Sequence, residues 1–128
     1  MDQNTHPRIS TSLVGEVVAL AEGVATACLV TTDAMAADHR GLVHGGFTFG
    51  LADYAAMLAV NDPNVVLGAA ESRFLAPTTV GQTMIARAKV MEEKGKKRVV
   101  TVSVTADETE VMSATMTCFV LPKHVLDS

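Results

Sequence analysis

After His44 and two glycines the chain runs FTFGLADYAAMLAV, with Asp53 as its single charged side chain, and stops at Asn61-Asp62-Pro63-Asn64. Phe47, Leu51, Tyr54 and Leu58 recur at helical spacing, while Gly50, Ala52, Ala55, Ala56 and Ala59 are small enough to let neighbouring backbone approach. A helix that is apolar on nearly every side must be covered on nearly every side. Pro63 disfavours helical geometry at the residue before it, and Asn tolerates turn conformations, so the helix ends there. No other segment has helical periodicity. Whatever encloses this helix therefore has to be sheet, and the chain must be an α+β domain.

The strands are visible as a change of period. Two β-branched runs within TSLVGEVVALAEGVATACLVTT are separated by Ala21-Glu22-Gly23 and read as an antiparallel pair. Residues 33–42 are polar and irregular. After the helix, VVLGAAESRFL leads to Ala76-Pro77. TMIARAKVMEE then places Met84, Ala86, Ala88 and Val90 on one face, with Arg87 and Lys89 on the other. Lys94-Gly95-Lys96 turns into RVVTVSVTA, which aligns Val100, Val102 and Val104. A further turn at residues 107–109 opens VMSATMTCFVL, ended by Pro122. Met57, Met84, Met91, Met112 and Met116 read as mostly core by alternation, although flexible methionines also suit the lining of an adaptable pocket. Five or six antiparallel strands around one helix leave open strand edges, so association with a second copy is expected.

With 128 residues, 48% of them hydrophobic, the chain suits a single domain, 1–128, with about ten flexible residues at its start. A net charge of -4 gives no electrostatic reason to bind a nucleic-acid backbone. Cys28 and Cys118 lack metal or redox spacing and read as small buried apolar residues. The polar opening MDQNTHPRIS and the absence of a long apolar run point to a cytoplasmic protein with no membrane segment.

GLVHGGFTFGLADYAA resembles the motif of the hotdog-fold acyl-CoA thioesterases of the phenylacetyl-CoA thioesterase (PaaI-like) type: Gly, His-Gly-Gly, and an acidic helix residue nine positions beyond the His. ESRFLAP and the two following strands are similar to the family's later elements. The resemblance implies a hotdog fold, an antiparallel five- to six-stranded sheet wrapped around one long central helix. It implies a homodimer with continuous sheets and active sites at the subunit interface, with a dimer of dimers as a further expectation. The substrate it implies is an acyl-CoA. Asp53 would be general base or nucleophile, and the amides around Gly45 and Gly46 would polarise the thioester carbonyl. Relatives often carry Asn six residues before the His; here that residue is Asp38, which when ionised could not donate to an oxyanion. A hydroxyl that assists the carboxylate in some relatives has Ser72 as its nearest counterpart.

The chemistry also follows from the residues themselves. Thioester hydrolysis passes through a tetrahedral species whose oxygen becomes negative, so it needs donors aimed at that oxygen and a group to activate water. The first turn of a helix offers unpaired amides, and Gly45 and Gly46 carry no side chains to block them. A carboxylate buried without partners should have a raised pKa, suited to accepting a proton near neutrality. The plainer reading of Asp53 is a carboxylate that hydrogen-bonds a loop or a partner chain. His44, at the strand-to-helix turn, is more often structural in such a place than a proton carrier. Asp38, His39, His44 and Asp53 lack a compact ligand spacing, so neither a metal nor another cofactor is expected. For substrate binding the candidates are Phe47, Arg73, Phe74 and Lys97. Arg73 and Lys97 are the cations for CoA phosphates, although the lysine-rich turn also reads as a solvated edge. Two other functions fit the same residues: an acyl-CoA hydratase or dehydratase, and an acyl-CoA-binding module without turnover. The acyl group is not specified by the sequence.

Overall fold

The computed structural model describes residues 1–127. Strands β1 (Glu16–Ala21) and β2 (Val24–Val30) form the first hairpin and are followed by a single 3-10 turn, Asp33–Met35. Helix α1 (Gly45–Val60) comes next, and then β3 (Val65–Phe74), β4 (Thr83–Lys94), β5 (Lys97–Ala106) and β6 (Thr109–Val120). All six strands join one antiparallel sheet in the order β1-β2-β4-β5-β6-β3. β1 and β3 are its edges, and α1 touches every strand.

Alternation accounts for the core. Ala25, Ala27 and Leu29 of β2, Met84, Ala86 and Ala88 of β4, and Val100, Val102 and Val104 of β5 all turn inward. Met112, Ala114, Met116 and Cys118 of β6 complete that face. Against it lie Leu51, Ala52, Ala55, Ala56, Leu58 and Ala59 of the helix, none more than 2% exposed. Each fully buried leucine contributes about 2 kcal/mol. The alanines contribute less by area but set how closely sheet and helix approach.

Met91 departs from the expected pattern: it is 59% exposed, whereas Met57, Met84, Met112 and Met116 are at 0–1%. Its position, two residues beyond Lys89, puts it on the outward face of β4 with Arg87 and Lys89, and it is the unpaired residue of a bulge between Val90 and Glu92 just before the exposed β4–β5 hairpin tip. Arg98 organises that tip, bridging to Glu93 at 3.0 Å and donating to the carbonyls of Gly95 and Lys97.

The N-terminus also differs from expectation. Residues 2–6 are tied down across the C-terminal half of α1 and do not form a free tail. Asn61, the helix C-cap with φ 54 and ψ 40, donates through Nδ2 to the Asp2 carbonyl at 2.8 Å. Its Oδ1 accepts from the Asn4 amide at 2.7 Å. Gln3 Nε2 donates to the carbonyls of Thr5 and His6 and to the Tyr54 hydroxyl, and Thr5 is only 4% exposed. The helix partners lie more than fifty residues away in sequence, beyond any local pattern.

Asn61 thus both ends the helix and anchors the N-terminal segment, and two substitutions separate these roles. Asn61→Gly keeps the left-handed cap but loses both side-chain bonds, at a cost of about 1 kcal/mol. Asn61→Ala loses both and adds left-handed strain, for a total of about 2 kcal/mol. Urea denaturation should show this order, and amide exchange at Asn4 should speed up in both variants. Undiminished protection at Asn4 would show that the segment is held by something other than Asn61.

Candidate active site

The helix start is built by the loop that precedes it. Asp38 Oδ1 accepts from the amides of Arg40 and Leu42 at 2.9 and 3.1 Å, closing a turn that Gly41 completes at φ +79. Residues 36–43 then bridge back on themselves through Ala36 and Val43, and to the segment before β4 through Leu42 and Thr79. The His44 amide donates to the Met35 carbonyl at 2.9 Å. His44 is therefore a fixed N-cap, extended at φ -63 and ψ 130, with the helix leaving from it.

That helix end is electrostatically open. It has no side-chain cap and no acidic residue in its first turn, and neither the Gly45 nor the Gly46 amide donates to a backbone carbonyl. Both glycines bring an aromatic side chain close. A Cβ on Gly45 would lie 3.1 Å from the Phe74 ring, and one on Gly46 would lie 2.9 Å from the His44 imidazole. His44 in turn meets Phe47 edge-on, with ring centres 6.2 Å apart. His44, Gly45, Gly46, Phe47 and Phe74 are thus gathered at one point. Unpaired donors and the positive end of the helix dipole favour an anion or a developing negative oxygen there.

Asp53 lies two turns further along, half-buried on the least covered stripe of the helix, with Gly46, Phe49 and Gly50. Its Oδ1 is buried with no hydrogen-bond partner. Burial pushes the carboxyl above its ordinary range, offset in part by the nearby His6 imidazole. The influence is mutual: burial lowers the His6 pKa, and Asp53 raises it back in part. Cys118 on β6 is raised to about 11, first by burial and then by the Asp53 charge. His6 belongs to the tied N-terminal segment and was not found from sequence; the only signal for it would have been a contact far along the chain.

Strand register sorts the remaining candidates. Ser72 pairs with Ala114 and Phe74 with Met112, both inward residues, so Ser72 and Phe74 face the helix side. Arg73 pairs with Ser113 and projects from the opposite face. Lys97 pairs with Phe119, seven residues along β6 from the partner of Phe74 and so about 23 Å away. Within one chain neither cation is brought to the helix start. Asp38 uses one oxygen as an acceptor for its own loop. Among the described residues no group of three or more His, Cys, Asp or Glu is placed to hold a metal ion, and no helix is long and apolar enough to cross a membrane.

A family model described as the acyl-CoA thioesterase N-terminal domain matches residues 34–119. The structure is similar to that of the uncharacterized protein PH1136 from Pyrococcus horikoshii, with a TM-score of 0.98 and 54% identity over 99% of this chain and 98% of that one. It is also similar to a mutant form of the phenylacetic acid degradation protein PaaI from Thermus thermophilus. There the TM-score is 0.79 and the identity 29%, over 85% of this chain and 95% of that one. A methylthioribose-1-phosphate isomerase of Aquifex aeolicus is 51% identical over 111 residues, which are 87% of this chain but 24% of the isomerase. The chain thus spans about a quarter of that relative's length. The architecture is the hotdog fold, as the motif resemblance implied.

The raised carboxyl carries a stability prediction. Burial favours its protonated form, so the folded state holds this proton more tightly than the unfolded chain does. The resulting stabilisation is complete below the unfolded carboxylate pKa and is lost as pH rises through the higher folded value. At neutral pH the ionised group is a net cost. Asp53→Asn should therefore be the more stable protein at neutral pH, by about 1 kcal/mol or some 3–5 °C in Tm. That advantage should shrink on acidification. Thermal melts across the pH range check it, and a variant less stable at every pH would mean that Asp53 has a stabilising partner.

Proposed function

The chain belongs to the acyl-CoA thioesterase family, and from that premise we propose that it hydrolyses an acyl-CoA thioester to the free acid and CoA. The observation that carries this reading is the Asp53 carboxylate: an oxygen buried without a partner, on an uncovered stripe of a helix whose first amides are also unspent. Asp53 acts as general base or nucleophile. The amides at Gly45 and Gly46 hold the carbonyl oxygen as it becomes negative, in a site where donors need no reorganisation. His44 and Phe47 shape that pocket, with Phe74 closing over Gly45. Asp38 is assigned to the loop it folds, where its Oδ1 accepts the amides of Arg40 and Leu42, and an ionised carboxylate has no proton to donate to an oxyanion.

One chain does not complete the site. Seven or eight residues separate the glycines from Asp53, about 10–12 Å along the axis. The helix-start amides also point away from the helix body. A carbonyl oxygen bound there lies further still from the same chain's carboxylate. The two halves converge only if the glycines of one subunit face Asp53 of another. β3 supplies the means: a ten-residue edge strand, exposed from Gly68 onward, with Ser72 and Phe74 on the helix side. Pairing of two such edges gives the continuous sheet that the family resemblance implies. Arg73 stands on this edge strand, where a CoA crossing the seam would meet it. No isomerase chemistry is carried over from the Aquifex relative, most of whose length has no counterpart here.

A thiol-release assay across a panel of saturated acyl-CoA esters tests the reaction, and Asp53→Asn should lower kcat by at least about 100-fold. Loss of an enoyl-CoA absorbance without thiol would point to hydration instead, and tight acyl-CoA binding without thiol release to a binding module. The shared site is tested by mixing subunits. Asp53→Asn and Gly46→Val should each be inactive alone, while unfolding and refolding them together should restore about a quarter of wild-type activity through one intact site per mixed dimer. No recovery on mixing would place both groups at work within the same chain.

A further inference from the structure

The exposed run of the β3 edge, Gly68–Phe74, carries one carboxylate and one cation two residues apart. Glu71 and Arg73 pair with Thr115 and Ser113, so both project from the face of the sheet opposite the helix. Neither has an ion-pair partner in its own chain, where the one salt bridge among the described residues joins Arg98 to Glu93. We propose that two copies of β3 pair antiparallel about Ser72, so that Glu71 of each meets Arg73 of the other, and that this register seats the shared site. It rests on the reading of Asp53 and the helix-start glycines as halves of one site split between subunits.

Two-fold symmetry leaves few choices of centre. Centred on Glu71, the pairing sets two carboxylates directly opposite each other; centred on Arg73, it opposes two guanidinium groups. Like charges opposed across an antiparallel pair destabilise it, and opposite charges stabilise it. Centring on Ser72 replaces both clashes with two Glu71–Arg73 pairs. On the helix side it sets Ala70 against the partner's Phe74. Arg73 has five N–H donors, so a carboxylate partner leaves others for an anion.

The helix gives the same centre by a separate route. If the glycines of one subunit face Asp53 of the other, the dyad crosses α1 midway between Gly46 and Asp53, at Phe49 and Gly50. That point is about 7 Å along the helix from Gly45. A Cβ on Gly45 would lie 3.1 Å from the Phe74 ring, which sets the helix start and the end of β3 at one level. β3 leaves the helix C-terminus through a short loop and runs back along the helix, so about 7 Å back from Phe74 is two residues, at Ser72. Phe49, one turn beyond Gly45, lies half-buried on the same side of the helix. The dyad brings it to the partner's Phe49, which covers it.

Register then decides whether the site forms. Moving the centre by one residue slides the partner by two, about 7 Å, and takes its glycines away from Asp53. Glu71 and Arg73 are therefore positioning residues, which select the pairing that joins the two halves.

Cross-linking reads this register without turnover. In a Cys28→Ala background, Ser72→Cys should give a disulfide-linked dimer on mild oxidation, because opposed Cα atoms lie about 4.5–5.5 Å apart. Ala70→Cys, whose two copies would be four residues or about 13 Å apart, should run as a single chain on a non-reducing gel. Efficient linkage through Ala70, or linkage through neither, overturns the proposal. Charge reversal supplies a second readout. Glu71→Arg and Arg73→Glu should each raise the dimer dissociation constant at least about tenfold in sedimentation, and the double reversal should return it to within about threefold of wild type. A double variant as dissociated as the singles also overturns the pairing. If a single reversal fails to fold, the cysteine comparison decides alone. Protein that links through Ser72 while its wild type releases thiol from no acyl-CoA would remove the hydrolytic reading and leave the register standing.

Discussion

The structure depends on one spatial constraint: a single helix has to fill the inside of a six-stranded sheet. Ala52, Ala55, Ala56 and Ala59 are what let the sheet close, because each keeps the helix backbone near the strands. Asp53 lies off that packed face, on the less covered stripe, and the helix carries no lysine or arginine to neutralise it. What completes its surroundings comes from the less covered side.

This also explains which parts of the fold were legible in the sequence. The helix was, because its apolar residues continue around every face and its end is marked by Asn61 and Pro63. The strands were, because Val100, Val102 and Val104 or Met84, Ala86 and Ala88 alternate without interruption. Met91 was misplaced against the strand's own period, because the alternation that turns Met84, Ala86 and Ala88 inward turns Met91 outward with Arg87 and Lys89. The tied N-terminus was invisible for a different reason. Gln3, Asn4, Thr5 and His6 belong to a polar segment whose long-range partners, Tyr54 and Asn61, are distant in sequence, and such pairings leave no local period.

The candidate site was legible in proportion to how strongly its residues break local rules. Asp53 stands out as the one charge in an apolar helix, and Gly45 and Gly46 stand out as adjacent glycines at a helix start. Arg73 and Phe74 break no rule. Their neighbouring positions place them on opposite faces of β3, and only the pairing with Ser113 and Met112 says which is which. Asp38 was recognised as a departure from the pattern of its relatives. Its loop shows how the departure is tolerated: the turn needs an acceptor for the amides of Arg40 and Leu42, and a carboxylate serves as well as a carboxamide.

Gly50 extends this reasoning to the space outside the chain. A glycine in mid-helix costs about 1 kcal/mol relative to alanine. Gly45 and Gly46 offset that cost by close approach to Phe74 and His44, whereas a Cβ added at Gly50 would meet nothing within 4 Å. Within this chain the cost at Gly50 is therefore not recovered. Gly46, Gly50 and Asp53 follow one another at four and three residues along the uncovered stripe of α1, so the opening at Gly50 lies between the helix mouth and the carboxylate. A side chain there would narrow the one approach to Asp53 that the sheet leaves free. Whatever occupies that approach must be brought from outside, as substrate or as a second subunit, and the glycine is what keeps room for it.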